Sequence, residues 1–226
     1  MRTSEEGERL GILGGTFNPI HLGHLRAAEE VRERLSLSRV LLVPSAEPPH
    51  KTDTRSDPIA PAELRVAWAR AAVEDHPALE VDALEVERGG RSFTIDTVRE
   101  IARRTAPEPP VFVIGLDAFR LLGTWRDPEG ILGIAHFAVI SRPPARGDLA
   151  DWMPDCAGAL FELDPAGDVA HHRSGDTWIR RVDIPLLDIS SSDVRERIRK
   201  GLSVRYLVPE SVRQAVLESG VYATAG

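Results

Sequence analysis

Cysteine is all but missing: Cys156 stands alone in 226 residues. A single thiol closes no internal disulfide and is a poor start for a metal cage, so a disulfide-stapled domain is excluded and a reducing cytoplasm is the expected setting. Long apolar runs are missing as well. Nothing approaches the roughly 20 residues that a bilayer span needs, which argues against a membrane protein. The opening "MRTSEEGERL" lacks the apolar centre of a secretory signal. Positive charge is in deficit, with 28 Lys and Arg against 35 Asp and Glu and a formal net charge of -7. Wrapping a nucleic-acid backbone requires many neutralised phosphates, so no nucleic-acid partner is expected and any anion site must be local. Internal repeats are also lacking. With 42% hydrophobic and 28% charged residues the composition is that of an ordinary globular protein, and the expectation is a single domain over residues 1–226.

What is present alternates. Short branched-apolar runs at residues 10–13, "RVLLVPS" (39–45), "VFVIG" (111–115), "HFAVISRP" (136–143) and "RVDIPLLDI" (181–189) have the form of buried strands. Helical patterns fall between them. One runs over about 21–35, where Leu22, Leu25, Ala28, Val31 and Leu35 form an apolar stripe; others cover 61–75, 94–104, a short stretch after 115 and 191–200. "LEVDALEVE" (79–87) reads as extended. Strand and helix in turn predict an α/β fold, a doubly wound, Rossmann-like parallel sheet with helices on both faces and ligands at the carboxyl ends of its strands. The core spans 10–200. Residues 201–226 form a small helical C-terminal part, with Pro209 and Glu210 at a helix start and Gly220 at its stop. Residues 145–178, rich in Gly, Asp, Pro and Ala, break the pattern and read as an irregular insert.

The chemistry concentrates in "GILGGTFNPIHLGHLRAAEEVRERL" (11–35). Gly14 and Gly15 permit a sharp turn and a close backbone approach after a buried strand, and the helix that follows points N–H groups and its positive dipole end at the same space. His21 and His24, three apart on the first turn, share a face and suit phosphate oxygens. Two imidazoles without a nearby carboxylate or cysteine do not make a metal site. Neither the dinucleotide spacing G-x-G-x-x-G nor the phosphate-loop spacing G-x-x-x-x-G-K-[ST] is present. "ISSSDVRERI" (189–198) reads as a second helix start with serines at the cap.

"GGTFNPIHLGHL" resembles the signature of the nucleotidylyltransferase superfamily with its H-x-G-H motif, and specifically that of the bacterial nicotinate-nucleotide adenylyltransferases. "PPHK" (48–51), "RSFTIDTVREI" (91–101), "GLDAFRLLGTW" (115–125), "ISSSDVRERI" and "YLVPESV" match that family in order, across nearly the whole chain. Asn18 stands where the family often has aspartate. The resemblance implies transfer of the adenylyl group of ATP to nicotinate mononucleotide, giving nicotinate adenine dinucleotide and pyrophosphate in NAD biosynthesis. It implies His21, His24, Lys51 and Arg195 as catalytic residues, and ATP binding by Gly14, Gly15, Thr16, Phe17, Gly115, Asp117, Arg142, Ser191 and Ser192. Thr94 and Trp125 would bind the acceptor, the indole stacking on its pyridine ring. Mg²⁺ is implied with ATP as substrate, with no dedicated protein metal site.

Plainer readings stand beside these. Lys51 reads on its own as a solvated loop lysine, Asp117 as the cap of the next helix, and Trp68, Trp152 and Trp178 as packing. His76 and His136 are expected to be structural, His50 could touch phosphate, and His171 and His172 receive no role. The same chemistry on nicotinamide mononucleotide or another phosphorylated acceptor stays open, as does a non-catalytic nucleotide-binding regulator. The small, acidic chain counts against a fragment of an aminoacyl-tRNA synthetase. The oligomeric state stays open, a homo-oligomer included.

Overall fold

The computed structural model describes residues 9–48, 58–141, 147–185 and 187–223. Lys51, His50 and Arg142 lie outside the described residues. The first strands and helices in chain order are β1 (Leu10–Gly15), α1 (Leu22–Arg34), β2 (Arg39–Pro44), α2 (Ala62–Val73), β3 (Leu79–Val81), α3 (Leu84–Arg88) and α4 (Thr94–Thr105). Then come β4 (Val111–Gly115), α5 (Leu116–Arg120), α6 (Pro128–Ile134), β5 (His136–Ser141), α7 (Leu149–Trp152) and α8 (Asp155–Gly158). The chain ends with β6 (Phe161–Leu163), β7 (Val169–His172), β8 (Trp178–Asp183), α9 (Ser191–Arg199) and α10 (Glu210–Ser219). The strands form one sheet in the order β3-β2-β1-β4-β5-β8-β7-β6.

The expected doubly wound, Rossmann-like sheet is present, and it is mixed. β1, β4, β5 and β8 pair parallel, while β7 runs antiparallel to β8 and β6 antiparallel to β7. The antiparallel pairs come from the segment expected to be irregular, and that expectation is corrected. Residues 145–178 hold α7, α8 and the β6–β7 hairpin, built around Asp164, whose carboxylate accepts from the N–H groups of Gly167, Asp168 and Val169. Such an Asx turn favours a hairpin over a helix. "LEVDALEVE" is also corrected: only Leu79–Val81 is strand. Asp82 accepts from Leu84 N–H at 3.0 Å and Gly89, with φ 72, ends the short helix α3 between them. The last parallel strand lies earlier than expected, beginning at Trp178 and ending at Asp183.

Contacts divide the chain into two units. The first comprises Met1–Leu13, Glu30–Val40 and Phe93–Leu186. Its core is the continuous apolar run of β4 and β5, with Phe119, Leu132, Trp152 and Phe161, all buried; strands buried on both faces need no polar alternation. The second comprises Gly14–Glu29, Leu41–Ser92 and Leu187–Gly226. Here α2 packs on α10 around Trp68, Val212, Val216 and Tyr222. α10 follows Pro209 and stops at Gly220, whose φ of 65 is the left-handed cap expected of glycine there. Among the described residues no helix is long and apolar enough to cross a membrane.

Candidate functional site

β1 ends on Gly14–Gly15, and the turn that follows is the first part of the site. Neither glycine has a positive φ; the left-handed residue is Phe17, at φ 48, a conformation that costs roughly 1–3 kcal/mol and persists only where surroundings enforce it. Gly15 is required for space instead, since a Cβ there would come within 2.9 Å of the Phe17 ring.

The enforcing groups are polar and buried. Arg65, on the apolar stripe of α2, donates from Nη1 to the Thr16 carbonyl at 2.7 Å, from Nε to Ala60 and from Nη2 to Ala46, both at 2.9 Å. Burial lowers its pKa, with Tyr222, Glu63 and Glu85 opposing; the carbonyl partners meet the needs of a charge held at that depth. Asn18, 3% exposed, donates to the Pro58 carbonyl at 3.0 Å and accepts from Ala60 N–H at 2.9 Å and from the Tyr222 hydroxyl. The amide at position 18 thus ties the turn to the residues ahead of α2 and to the C-terminal segment.

The two histidines follow directly. Their rings stack with centroids 3.7 Å apart and planes 24° off parallel, and His21 N–H reaches Nδ1 of His24 at 3.3 Å. With Nδ1 accepting, the proton of neutral His24 is assigned to Nε2, so that nitrogen can donate. His21 is buried and His24 half-buried, and the edge of Phe17 meets His24 at a centroid distance of 5.0 Å. The glycine of H-x-G-H again serves space: a Cβ at Gly23 would lie 3.0 Å from His21 Nδ1. One expectation needs correcting here. α1 starts at Leu22 rather than at His21, and Leu22 N–H donates to the Leu207 carbonyl at 2.9 Å, so the first amide of the helix is already engaged.

The second helix start meets the same turn. Ser190 caps α9 by accepting from Asp193 N–H at 3.0 Å, leaving the next serines for other work. Ser191 Oγ donates to the Pro19 carbonyl at 2.9 Å. Arg195, 5% exposed, donates to the Asn18 carbonyl at 2.8 Å and to Ser192 Oγ at 3.1 Å. The structure therefore brings His21, His24, Ser191, Ser192 and Arg195 together around Asn18 and Pro19, with Gly14, Gly15, Thr16 and Phe17 in the same turn. Imidazole, hydroxyl and guanidinium groups beside a tight turn have the chemistry to donate to anionic oxygens. Among the described residues no group of three or more His, Cys, Asp and Glu is placed to hold a metal.

The remaining expected residues that the structure describes belong to the first unit. Thr94 opens α4, Gly115 ends β4, and Asp117 is exposed in the first turn of α5. Asp117 is not the cap of that helix, the position being held by Gly115 with no side-chain bond. Trp125 follows a short turn at Leu122–Thr124, half-buried, with its ring edge-on to Phe112 at 6.2 Å. Beside it in sequence Arg126 sits 4.8 Å over the ring of Phe93. Trp68 and Trp152 are core residues, 1% and 0% exposed, whereas Trp125 is only half-buried. Trp178 stacks on buried His136, and His76 pairs with Glu29 at 3.2 Å, so both histidines are structural as expected.

Sequence reasoning missed Arg65 and Tyr222. The signal for Arg65 was a cation on the apolar stripe it shares with Trp68, Ala69 and Val73; Tyr222, in a C-terminal segment of small residues, gave none.

The chain matches the model of the cytidylyltransferase-like family over residues 12–197. It is 41% identical over 218 residues to a protein of Citrifermentans bemidjiense named "Probable nicotinate-nucleotide adenylyltransferase", covering 96% of this chain and 99% of that one. A protein of the same name from Geobacter metallireducens is 42% identical over 215 residues, covering 95% and 98%. Among solved structures, Plasmodium falciparum nicotinic acid mononucleotide adenylyltransferase complexed with NaAD shares the fold, with a TM-score of 0.69 at 14% identity over 95% of this chain and 97% of that one. The fold, the H-x-G-H turn and whole-length identity at this level agree: the chain belongs to the cytidylyltransferase-like family and, within it, to the nicotinate-nucleotide adenylyltransferases.

Proposed function

We propose that the protein transfers the adenylyl group of ATP to nicotinate mononucleotide, forming nicotinate adenine dinucleotide and pyrophosphate for NAD synthesis. The observation that carries this reading is the meeting of the stacked His21–His24 pair with Arg195 on one buried turn, in a chain about 40% identical to its relatives. Residues 1–226 act as one nucleotidylyltransferase domain, which the family match across 12–197 supports.

In this reading a phosphate oxygen of the acceptor attacks the α-phosphorus of ATP. The new P–O bond forms as the bond to the β-phosphate's bridging oxygen breaks, and pyrophosphate leaves with that oxygen and its electrons. No protein nucleophile is needed, so catalysis rests on positioning and on stabilising charge. His24 donates from Nε2 to the phosphates, His21 orients it through its N–H and its stacked ring, and Arg195, Ser191 and Ser192 line the other side of the turn. Lys51 and Arg142 add charge to the triphosphate, and Gly115 and Asp117 bind the nucleoside. Thr94 and the open part of Trp125 take the pyridine ring. The donor set suits phosphate oxygens rather than a bare cation, so Mg²⁺ would come with ATP and neutralise its charge. The single cysteine supports a cytoplasmic setting.

Pyrophosphate release by purified protein, with ATP and either nicotinate or nicotinamide mononucleotide, tests the reading. Faster release with the acid is expected. No release with either acceptor would overturn it.

A further inference from the structure

Arg65 is 1% exposed, and it donates to three main-chain carbonyls, those of Thr16, Ala46 and Ala60. The last two join the end of β2 to the start of α2 and explain a brace within the second unit. The first does something else. In a trans peptide the C=O and N–H point to opposite sides, so the Thr16 carbonyl held on Arg65 turns the Phe17 N–H away from that guanidinium. It also fixes the peptide plane about which Phe17 takes its φ of 48. Phe17 in turn sets its ring against Gly15 and edge-on to His24 at 5.0 Å. Contact therefore runs from a buried cation, through one carbonyl and one strained residue, to a histidine of the site.

We propose that Arg65 is a positioning residue for adenylyl transfer, fixing the Thr16–Phe17 peptide and through it the Phe17 N–H and the His24 ring. The proposal rests on the adenylyl-transfer reading above. A planar fork reaching three carbonyls in different segments is a geometry that lysine cannot reproduce. A core brace alone would make the protein easier to melt and leave the turnover of folded molecules unchanged; a positioning residue changes turnover in molecules that remain folded.

Arg65→Met fills much of the space without leaving a buried unpaired charge, and Arg65→Lys keeps the charge while losing the fork. Wild-type pyrophosphate release from ATP and nicotinate mononucleotide is measured first; its absence would be a failure of the functional reading, not of Arg65. With wild-type turnover in hand, melting temperature, kcat and both KM values are determined for each variant. A displaced catalytic contact costs on the order of 10²-fold, so Arg65→Met is expected to lose about that much kcat while still folded. KM for nicotinate mononucleotide should stay within about twofold, and Arg65→Lys should recover part of the rate, remaining about tenfold below wild type. If a folded variant keeps kcat within about twofold of wild type and only melts earlier, Arg65 is a brace and the proposal is overturned. Should Arg65→Met not fold, Arg65→Lys decides by the same criterion.

Discussion

Two regions of the molecule hold their candidate site side chains in different ways. Around Asn18, in the second unit, the means are hydrogen bonds to main-chain atoms: Arg65 on Thr16, Ser191 on Pro19, Arg195 on Asn18, and His24 beneath the N–H of His21. Around Trp125, in the first unit, the means are ring contacts: Trp125 on Phe112, Phe112 on Phe137, Arg126 over Phe93. The difference follows from what each region is proposed to bind. Charge on a polyphosphate is stabilised by dipoles fixed before the reaction starts, because reorganising them would consume the stabilisation. A planar pyridine ring needs a flat surface whose angle can adjust by a few degrees.

If this contrast is real, damage to the first kind of region should appear mainly in kcat and damage to the second mainly in the KM of the acceptor. The largest effect is expected from His24→Ala. Loss of one fixed donor typically costs about 10²–10³-fold in kcat, and the half-buried ring should leave the melting temperature little changed. A folded His24→Ala protein with normal pyrophosphate release would break the contrast outright.

Arg195→Ala comes next and acts on both axes. It removes a phosphate-side charge, for about 10²-fold in kcat, and takes the guanidinium from the Asn18 carbonyl, for about 1–3 kcal/mol of stability. Denaturant melts separate the two, and rate loss without stability loss would show that the bond to Asn18 is dispensable. Trp125→Ala should be milder: aromatic pairs are worth about 0.5–1.5 kcal/mol, so KM for nicotinate mononucleotide rises up to about tenfold, with KM for ATP and the melting temperature nearly unchanged. A loss confined to kcat would instead place Trp125 with the fixed donors.

The same contrast explains what could be read from the sequence. The turn proposed to hold the phosphates stood out in the sequence because its glycines, proline and histidines are contiguous and each type has few uses. The parallel strands β1, β4 and β5 were legible as apolar runs, whereas β8, with arginines in its middle, was placed too late in the chain. Arg65 was not legible, because its partners are carbonyls, which every residue has. The contact that Gly15 leaves room for was not legible either: a glycine that avoids a ring two residues on looks the same in sequence as any other turn glycine. "LEVDALEVE" reads as extended in sequence, yet its second half is helical, with Asp82 accepting from the Leu84 N–H ahead of it and Gly89 at its end. β6 and β7 span only Phe161–Leu163 and Val169–His172, too short to display a period.

The smallest effect concerns stability rather than turnover, and tests whether titration divides along the same lines. His136 opens β5 in the first unit, its ring stacked on Trp178 at 4.4 Å and its Nδ1 accepting from Trp178 N–H at 3.2 Å. Burial lowers its pKa from 6.5 to about 4, Arg9 adding to the shift and Asp176 opposing it. Between those values the unfolded chain binds a proton that the folded chain refuses, so the stability this group contributes is present above pH 6.5 and drains away as pH falls towards 4. Asparagine offers an oxygen to Trp178 N–H and does not titrate. In His136→Asn the melting temperature should therefore vary less steeply with pH across that window than in wild type, while the pH profile of kcat stays where it was. A change in the kcat profile with the melting slope intact would show that the first unit's buried histidine speaks to the chemistry after all.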